Sequence, residues 1–527
     1  MGMSGGDLSW PLVHAARLHA SALAVADDDH AVTYAELARR VRALGASLDR
    51  LGIAAGARVG VLAANSLAHL ELFMGLPAFA RVVVSLNTRL AEVELVALAQ
   101  DAGLVALVAD DEHLDTARSI ALAVGSITTL VRVGGGPAPS GWVAYDALVE
   151  GDVVAAFPGV DGDALAAISY TGGTTGRPKG VMLSHGNLLA NARHNLIATG
   201  HRSADRWLHV PPMFHAAGVS NVLAATWVGA EQVVLPRFDA ARVCAAVAEH
   251  SITHIALVPT MIGMLLDHDA EHPADLTSLR HLQYAASPIT PSLQRRLLDR
   301  LDCDIAQFYG MTEAAPTVTS STPDDHRRGH AGEEPYARRL ASMGAPVAGV
   351  QVDVRSPAGE HVGPGEVGEV CVRGPNVMLG YWGQPEATGA ALVDGWYRTG
   401  DAAYTDADGY LYMVDRLKDM IISGGENVYT VEVEAVLSTH PAVVEAAVFG
   451  IPDERWGEAV HATVRVADDA RVSTDELLAH CRAAIAGFKL PRSIELTRTP
   501  LPRSGPGKLL KSVLREPYWA GRERRVG

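Results

Sequence analysis

The sequence is poor in cysteine and in aromatic residues, and it has no surplus of positive charge. Only 6% of its 527 residues are Phe, Trp or Tyr, and its four cysteines are Cys244, Cys303, Cys371 and Cys481. Their scatter, without any CxxC spacing, indicates neither a disulfide framework nor a metal site and fits a reducing cytoplasm. Apolar runs of bilayer length and a secretory signal pattern are also missing, so we expect no membrane span.

The acidic balance argues against nucleic-acid binding. The formal net charge is -16, whereas binding to a phosphate backbone needs a basic face. Residues 482–527 are an exception, with eleven Lys or Arg against three Asp or Glu, a local balance of +8. This basic end is either a solvated surface or a surface that meets a polyphosphate.

Length and composition predict a globular α/β protein with a large and a small domain. Hydrophobic residues make up 48% of the chain and charged residues 20%, and glycine occurs 51 times. Such a chain supports a sizeable core and many tight turns. The sequence does not decide between a monomer and a homodimer.

The first 160 residues alternate helical and strand patterns. Thr33 and Glu36 have capping-box spacing ahead of an amphipathic helix, whose apolar face is formed by Leu37, Val41, Leu44 and Leu48. Short apolar strands are expected at residues 58–63, 82–86, 104–109 and 127–133. This alternation predicts doubly wound α/β layers.

The pattern changes in the second half of the chain. Period-two alternation between residues 349 and 373 predicts a β-rich subdomain. Residues 427–502 again mix helical and strand patterns, which predicts a small α+β domain. We place the boundary after Asp415, giving an N-terminal domain of residues 1–415 and a mobile C-terminal domain of residues 416–527.

A glycine- and threonine-rich loop follows a predicted buried strand at residues 164–169. Residues 170–180 read YTGGTTGRPKG. The glycines let backbone amides converge on one concavity, the threonines add hydroxyl donors and Lys179 adds a charge, which together suit a polyphosphate. The loop is not a Walker A motif, because Arg177 and Pro178 precede the lysine and no Ser or Thr follows it. Taken alone, it is equally consistent with an ordinary turn.

This loop resembles the phosphate loop of the adenylate-forming superfamily, which includes acyl-CoA synthetases, peptide synthetase adenylation domains and beetle luciferases. Further segments resemble superfamily signatures in the same order along the chain: QFYGMTE at 307–313, GWYRTGD at 395–401, DRLKD at 415–419, GGEN at 424–427 and PRSGPGK at 502–508. The resemblance is greatest to ligases that join a fatty or aromatic acid to coenzyme A.

The resemblance implies a binding site for ATP and Mg²⁺. Glu313 matches the residue that binds Mg²⁺, a hard cation that prefers carboxylate oxygen. Asp401 matches the carboxylate that accepts both ribose hydroxyls, Arg416 a ribose or phosphate contact, and Tyr309 the ring stacked on adenine. The residues implied to bind the nucleotide are Thr171, Gly172, Gly173, Thr174, Thr175, Lys179, Ala286, Ser287, Pro288, Gln307, Tyr309, Gly310, Met311, Thr312, Asp401, Arg416 and Lys508.

The resemblance also implies a division of labour between two half-reactions. Lys508 would bridge the attacking carboxylate and the α-phosphate during adenylate formation. Lys418 would be the hinge about which the C-terminal domain rotates, and Gly424 and Gly425 would then line a passage for the thiol of coenzyme A. The implied catalytic residues are Lys508, Thr175, Glu313 and His215.

The acyl pocket is expected around His215, which would lie beside the reacting carboxylate. Amino-acid-adenylating relatives usually carry Asp at that position, so an α-amino acid substrate is disfavoured. The other implied pocket residues, small or apolar apart from the tyrosine, are Val219, Tyr284, Ala285, Gly310 and Ala314, which suits a fatty or aromatic acid. Two departures from the usual family pattern are the segment YAASP at 284–288 and Thr430, which stands where proline is usual.

The sequence therefore predicts an AMP-forming ligase that converts a carboxylic acid and ATP into an acyl-adenylate and then a CoA thioester. Loading of an acyl-carrier protein is the nearest alternative, and a non-catalytic nucleotide-binding protein is another. Nothing in the sequence supports oxidative luciferase chemistry. Which acid is used stays open.

Overall fold

The chain folds as two compact units in a computed structural model. The structure describes residues 6–171, 178–287, 289–416, 419–423, 426–468, 470–503 and 509–520. The first unit comprises Met1–Gln351 and Val372–Tyr397, and the second comprises Val352–Cys371 and Arg398–Gly527. The predicted boundary after Asp415 and the predicted hinge stay predictions.

Strands and helices alternate along most of the chain. The strands are β1 (Leu23–Ala26), β2 (Ala31–Thr33), β3 (Arg58–Leu62), β4 (Val82–Ser85), β5 (Ala106–Asp110), β6 (Thr129–Val133), β7 (Val143–Ala144), β8 (Leu165–Thr171), β9 (Lys179–Ser184), β10 (Arg206–His209), β11 (Glu231–Val234), β12 (His254–Leu257), β13 (His281–Tyr284), β14 (Asp304–Gly310), β15 (Thr317–Ser320), β16 (Ala345–Pro346), β17 (Gln351–Arg355), β18 (Gly368–Arg373), β19 (Gly380–Tyr381), β20 (Leu392–Val393), β21 (Trp396–Thr405), β22 (Leu411–Arg416), β23 (Ile421–Ser423), β24 (Glu426–Val428), β25 (Val443–Asp453), β26 (Gly457–Val466) and β27 (Ser493–Thr497). The helices are α1 (Trp10–Leu18), α2 (Tyr34–Arg50), α3 (Leu67–Ala78), α4 (Glu92–Ala102), α5 (Leu114–Ala123), α6 (Tyr145–Val149), α7 (His185–Thr199), α8 (Ala216–Val219), α9 (Val222–Val228), α10 (Ala240–His250), α11 (Pro259–Glu271), α12 (Pro291–Arg300), α13 (Pro323–His330), α14 (Tyr336–Arg339), α15 (Pro385–Ala391), α16 (Thr430–Ser438), α17 (Thr474–Ala484) and α18 (Lys511–Trp519).

The first unit contains two large, mainly parallel sheets among its described residues. One has the order β16-β15-β14-β13-β12-β10-β11-β1-β2, and the other β19-β9-β8-β4-β3-β5-β6-β7. Strands β12, β13 and β14 pair in parallel, as do β4, β3, β5 and β6. Parallel pairing requires crossover connections, here supplied by helices, and the predicted doubly wound α/β fold class is confirmed.

The amphipathic helix predicted after Thr33 is α2. The Thr33 hydroxyl accepts the backbone N–H of Glu36 at 3.3 Å and caps the helix. The Glu36 carboxylate does not close a capping box, because it pairs with Arg39 at 2.8 Å instead. Leu37 and Val41 on the predicted apolar face are completely buried.

The second unit contains the β-rich segment and the small α+β region. Its β17 and β18 lie side by side, and β22 pairs with the later part of β21. The other sheet has the order β24-β23-β26-β25, with β27 paired to β26. Helices α16 and α17 contribute Val433 and Leu477 to its core.

Two further features concern the state of the cysteines and the character of the helices. All four cysteines are free thiols. Within the described ranges, no helix combines the length and apolar character needed to cross a membrane.

Candidate active site

A β-hairpin in the first unit frames the predicted phosphate loop. Strand β8 ends at Thr171 and β9 begins at Lys179, and these two residues are cross-strand partners. The Thr171 hydroxyl lies 3.5 Å from the carbonyl oxygen of Lys179, to which it donates. The intervening predicted residues Gly172, Gly173, Thr174 and Thr175 lie outside the described residues. The hairpin therefore fixes the two ends of the loop.

The predicted carboxylate is carried on a tight turn directly after β14. Glu313 lies in a short 3₁₀ turn, Thr312–Ala314. A side chain at Gly310 would bring its Cβ within 1.8 Å of the carbonyl oxygen of Pro316, so only glycine fits at the end of β14. The same carbonyl accepts the backbone N–H of Met311 at 3.0 Å. This close approach turns the chain and places Glu313 just beyond the strand.

Tyr381 connects the carboxylate turn with the phosphate hairpin. Its hydroxyl donates to Oε1 of Glu313 at 3.1 Å. Nζ of Lys179 lies 4.6 Å from the centroid of its ring, within cation–π range. Burial, followed by the neighbouring Glu313 charge, raises the pKa of Tyr381, which keeps the hydroxyl protonated as a donor. Lys179 and Glu313, predicted from separate motifs, are thus brought to one place.

The residues predicted to bind the adenine end of the nucleotide lie at the ends of β13 and β14. Tyr309 and Gln307 are half-buried on β14, and the Tyr284 hydroxyl is 3.2 Å from Oε1 of Gln307. Ala286 has φ +74°, a left-handed conformation that alanine seldom adopts. Ser287 is half-buried beside it, and Pro288 lies outside the described residues.

Tyr284 lies in the protein core. It has no exposed surface and packs in a cluster with Leu282 and Ile305. Its hydroxyl is also 3.0 Å from Nε2 of His326 and accepts a hydrogen bond from the Gln294 amide at 3.1 Å. Its assignment to the acyl pocket stays a prediction.

His215 immediately precedes α8 in a loop with a fixed path. The Asn65 side chain accepts the backbone N–H of Met213 at 2.7 Å. A Cβ at Gly218 would lie 2.1 Å from the carbonyl oxygen of Pro212, so the loop also requires glycine there. Nε2 of His215 is buried without a hydrogen-bond partner among the described residues. Burial lowers the pKa of His215 to about 4, so its ring is neutral at physiological pH.

A small, mainly apolar cavity is lined in part by residues that directly follow His215 in the sequence. The predicted pocket residue Val219 lines this cavity. Ala216, which follows His215, and Ala315, which follows Ala314, line it as well. Ala314 is fully buried, whereas Ala285 is half-buried and Gly310 is exposed. The remaining lining residues come mostly from helices and strands without a motif: Phe73, Ala167, Ser169, Leu183, Leu188, Asn191, Ser220 and Leu223.

The second unit holds the predicted ribose ligands. Asp401 on β21 lies directly opposite Arg416 on β22, with Arg416 Nε 3.4 Å from Asp401 Oδ1. Gly400 has φ +73°, and the Asp401 backbone N–H donates to the Thr399 hydroxyl at 3.0 Å. The carboxylate of Asp401 is thereby held at a bend beside a cation.

Four predicted functional residues lie outside the described residues. They are the hinge residue Lys418, the thiol-passage residues Gly424 and Gly425, and the catalytic Lys508.

A hydrogen-bond network links Asp415 with Thr430. The Asp415 carboxylate accepts the backbone N–H groups of Arg416, at 2.7 Å, and of Thr430. The Thr430 hydroxyl in turn accepts a hydrogen bond from Nζ of Lys511 at 2.5 Å. Proline at 430 could make neither of these two Thr430 contacts.

A buried histidine cluster lies outside the predicted site. Candidate ligand atoms of His201, Asp205 and His254 fall within 4.8 Å of one another. However, Nε1 of Trp207 donates to Nδ1 of His201 at 3.0 Å, so a neutral His201 carries its proton on Nε2, the atom a metal would need. Asp205 also has Arg280 at 3.3 Å. These contacts favour a structural network over a metal centre.

Sequence reasoning missed Tyr381 and the apolar side chains of α3, α7 and α9 that line the cavity. The segment around Tyr381 matches none of the motifs identified in the sequence. The signals available there were the adjacent aromatic residues Tyr381 and Trp382 after Gly380, and a polar residue, Asn376, directly before an apolar stretch.

Comparison with known proteins gives consistent matches along the chain. The family described as AMP-binding enzyme matches residues 12–382, and its C-terminal domain matches residues 432–508. A feruloyl-CoA synthase of an Amycolatopsis species is 43% identical over 512 residues, covering 97% of this chain and 98% of the relative. A fatty acid–[acyl-carrier-protein] ligase, ScoC of Streptomyces coeruleorubidus, is 35% identical, covering 95% of each chain.

A solved structure agrees as well. The o-succinylbenzoate CoA synthetase MenE from Bacillus subtilis, in complex with its acyl-adenylate intermediate, superposes with a TM-score of 0.83 at 29% identity, covering 98% of this chain and 99% of that one.

Fold, site and comparisons define an ATP-dependent, AMP-forming acid–thiol ligase, an enzyme that activates a carboxylic acid as its adenylate. The chain belongs to the AMP-binding enzyme family. ATP, Mg²⁺ and coenzyme A serve its reaction.

Proposed function

We propose that the enzyme converts ferulate, or a related aromatic propenoic acid, into its CoA thioester. The observation that carries this assignment is the 43% identity to a feruloyl-CoA synthase across 97% of the chain. The two-step reaction is common to the family, so the proposal concerns the acid, the acceptor and the residues that serve each step.

The side chains that line the cavity after His215 have the chemical character that suits an aromatic acid. Phe73, Val219 and Leu223 give its lining an apolar surface, and Ala216 and Ala315 add small side chains. Apolar walls with few polar groups are typical of sites that bind aryl or alkyl groups. A substrate ammonium would meet no carboxylate among the described lining residues, which disfavours an amino acid.

His215 is proposed to bind the substrate carboxylate as a neutral ring. Its Nε2 is buried without a partner among the described residues, and a buried polar atom of this kind needs one. A neutral imidazole donates one hydrogen bond without neutralising the attacking carboxylate, so the carboxylate keeps its nucleophilic charge.

The nucleotide roles are proposed from the family resemblance. Thr171, Lys179 and the intervening loop would bind the phosphates, and Tyr309 would stack on adenine. Asp401 offers two carboxylate oxygens for the ribose hydroxyls, and Arg416 would contact ribose or phosphate.

Glu313 fits the divalent cation. Its half-buried carboxylate is an oxygen ligand of the kind that Mg²⁺ prefers, and it lies on a rigid turn held from two sides. When bound with ATP, Mg²⁺ offsets phosphate charge.

The first step forms a bond between a carboxylate oxygen and the α-phosphorus and breaks the bond from that phosphorus to the pyrophosphate. Lys508 would stabilise the charge that the two anions share during this transfer. In the second step the thiolate attacks the acyl carbon, the acyl–oxygen bond breaks and AMP leaves. Gly424 and Gly425 would give pantetheine its passage.

A panel of acids tests the substrate assignment. Ferulate, cinnamate, benzoate, decanoate and phenylalanine would each be supplied with Mg-ATP and CoA, and thioester would be quantified by mass spectrometry. We expect the highest kcat/KM for ferulate or cinnamate and no thioester with phenylalanine. A clear preference for decanoate would contradict the aromatic assignment.

Transfer to an acyl-carrier protein is the second candidate, favoured by the similarity to the ligase ScoC. Competition between free CoA and a phosphopantetheinylated carrier protein separates the two acceptors. We expect CoA to be used. A lack of ATP–pyrophosphate exchange with every acid would instead favour the non-catalytic alternative. A cytoplasmic location, and a monomeric or homodimeric state, stay predictions.

A further inference from the structure

The segment from Asn376 to Gln384 fastens the turn that carries Glu313. The fully buried Asn376 amide donates to the carbonyl oxygens of Ala314 and Thr317, both at 2.8 Å. The backbone N–H of Met378 donates to the carbonyl oxygen of Glu313 at 2.9 Å. These bonds hold the backbone on both sides of the carboxylate.

The same segment is bound to the phosphate hairpin. In β19, Tyr381 is the cross-strand partner of Val181 on β9. The backbone N–H of Leu379 donates to the carbonyl of Met182 at 2.9 Å, and that of Trp382 to Gly180 at 2.7 Å. One short strand thus joins two motifs that are separated by more than a hundred residues in the sequence.

Tyr381 is the side chain in this segment that reaches both charged groups. It is 5% exposed, and its hydroxyl and ring serve different neighbours. The hydroxyl donates to Oε1 of Glu313 at 3.1 Å, and the ring lies 4.6 Å from Nζ of Lys179. A hydrogen bond to one oxygen limits rotation of a carboxylate, and an aromatic face restricts an ammonium group.

We propose that Tyr381 is a positioning residue for adenylate formation, which orients Glu313 toward the divalent cation and Lys179 toward the ATP phosphates. This inference rests on the proposed roles of Glu313 and Lys179. In this proposal the Tyr381 hydroxyl acts on cation binding through Glu313, and the ring acts on phosphate binding through Lys179. The two functions can therefore be separated by substitution.

Tyr381→Phe removes the hydroxyl and keeps the ring, whereas Tyr381→Leu removes both. The matched control is Tyr145→Phe. Tyr145 is likewise buried and donates to a carboxylate, Oε2 of Glu71, at 2.9 Å, but it lies in α6 away from both motifs. A merely structural role for Tyr381 would give the same result as this control.

Mn²⁺ binding gives a readout that does not depend on turnover. Each protein would be mixed with a non-hydrolysable ATP analogue, and bound Mn²⁺ would be titrated by electron paramagnetic resonance. We expect Tyr381→Phe to weaken Mn²⁺ binding by about three- to ten-fold, as loss of one hydrogen bond of ordinary net strength implies. Tyr145→Phe should leave it unchanged. Equal Mn²⁺ affinity in wild type and Tyr381→Phe would overturn the proposal.

Half-reaction rates provide the second readout. In Tyr381→Phe we expect slower ATP–pyrophosphate exchange that is partly restored by high Mg²⁺, with thioester formation from supplied acyl-adenylate unchanged. Tyr381→Leu should in addition raise KM for ATP. An equal fall in both half-reactions would contradict a role confined to adenylate formation. Absence of exchange in the wild type would refute the proposed function instead, and the Mn²⁺ titration would still decide the role of Tyr381.

Discussion

Two clusters of charged side chains, one in each unit, are built in opposite ways. In the first unit, Lys179 and Glu313 are half-buried, and a neutral tyrosine lies between them. In the second unit, Lys511 lies 2.7 Å from Glu434, in a network that includes the buried Asp415. Charges held by a neutral side chain can serve a ligand, whereas charges that bind one another mainly serve the fold. Substitutions in the two clusters should therefore affect different properties.

The largest expected effect is on activity, in the first unit. Glu313→Gln should lower the rate of adenylate formation about 10²–10³-fold, because a carboxylate ligand of the cation is lost. The free energy of unfolding should change by less than about 1 kcal/mol, as is usual for polar groups outside the core. ATP–pyrophosphate exchange and urea denaturation measure the two quantities. Glu333→Gln, in an exposed pair with Arg328, is the matched control and should change neither.

The next effect is on stability, in the second unit. Lys511→Met should lower the free energy of unfolding by about 3–5 kcal/mol at neutral pH, because Asp415 and Glu434 lose their shared cation. Burial already raises the pKa of both carboxyls, so the folded variant gains protons as pH falls and the loss should shrink in acid.

Lys489→Met is the control for that variant. Lys489 pairs with Glu432 at 2.7 Å on a more exposed surface, so its loss should cost less than about 1 kcal/mol. Equal losses in the two variants, measured by urea denaturation, would mean that the buried cluster has no special role.

The pH dependence of stability should also differ between the units. Burial lowers the pKa of His69, His185, His209 and His281 in the first unit from the ordinary 6.5 to about 4. The unfolded chain therefore binds more protons between pH 6.5 and 4, and stability falls as pH falls, by about 1.4 kcal/mol per pH unit for each such histidine. Hydrogen exchange resolved by peptide should show protection lost earlier in the first unit. Uniform loss in both units would contradict this difference.

The smallest expected effect concerns backbone strain beside the site. Ala286 has φ +74°, where glycine is favoured, so Ala286→Gly should raise the free energy of unfolding by about 1 kcal/mol. Ala285→Gly, next to it but without a positive φ, should slightly lower stability. Chemical denaturation of both variants measures the difference, and a gain in both would exclude strain as the cause.

The sequence predicts the fold class because hydrophobic periodicity is local. The strand expected at residues 164–169 is β8, Leu165–Thr171, and the helix expected from Leu37 to Leu48 is α2. Motif matching also found Lys179 and Glu313, whose side chains the structure brings to the ring and to the hydroxyl of Tyr381, respectively.

The contacts of Tyr381 could not be predicted from one sequence. Tyr381 and Glu313 are 68 positions apart, and no local pattern specifies which strand edge β19 joins. Tyr284 shows the converse difficulty. Its position beside a motif suggested a pocket, whereas its hydroxyl bonds to Gln294, Gln307 and His326 depend on tertiary packing.

The most direct measurement of the central claim is the effect of Lys508→Ala on the two half-reactions. If the late lysine stabilises only the transfer at the α-phosphate, ATP–pyrophosphate exchange should fall at least about 10²-fold. Thioester formation from chemically supplied acyl-adenylate and CoA should stay within a few-fold of wild type. Survival of both half-reactions, or an equal loss of both, would contradict the assignment.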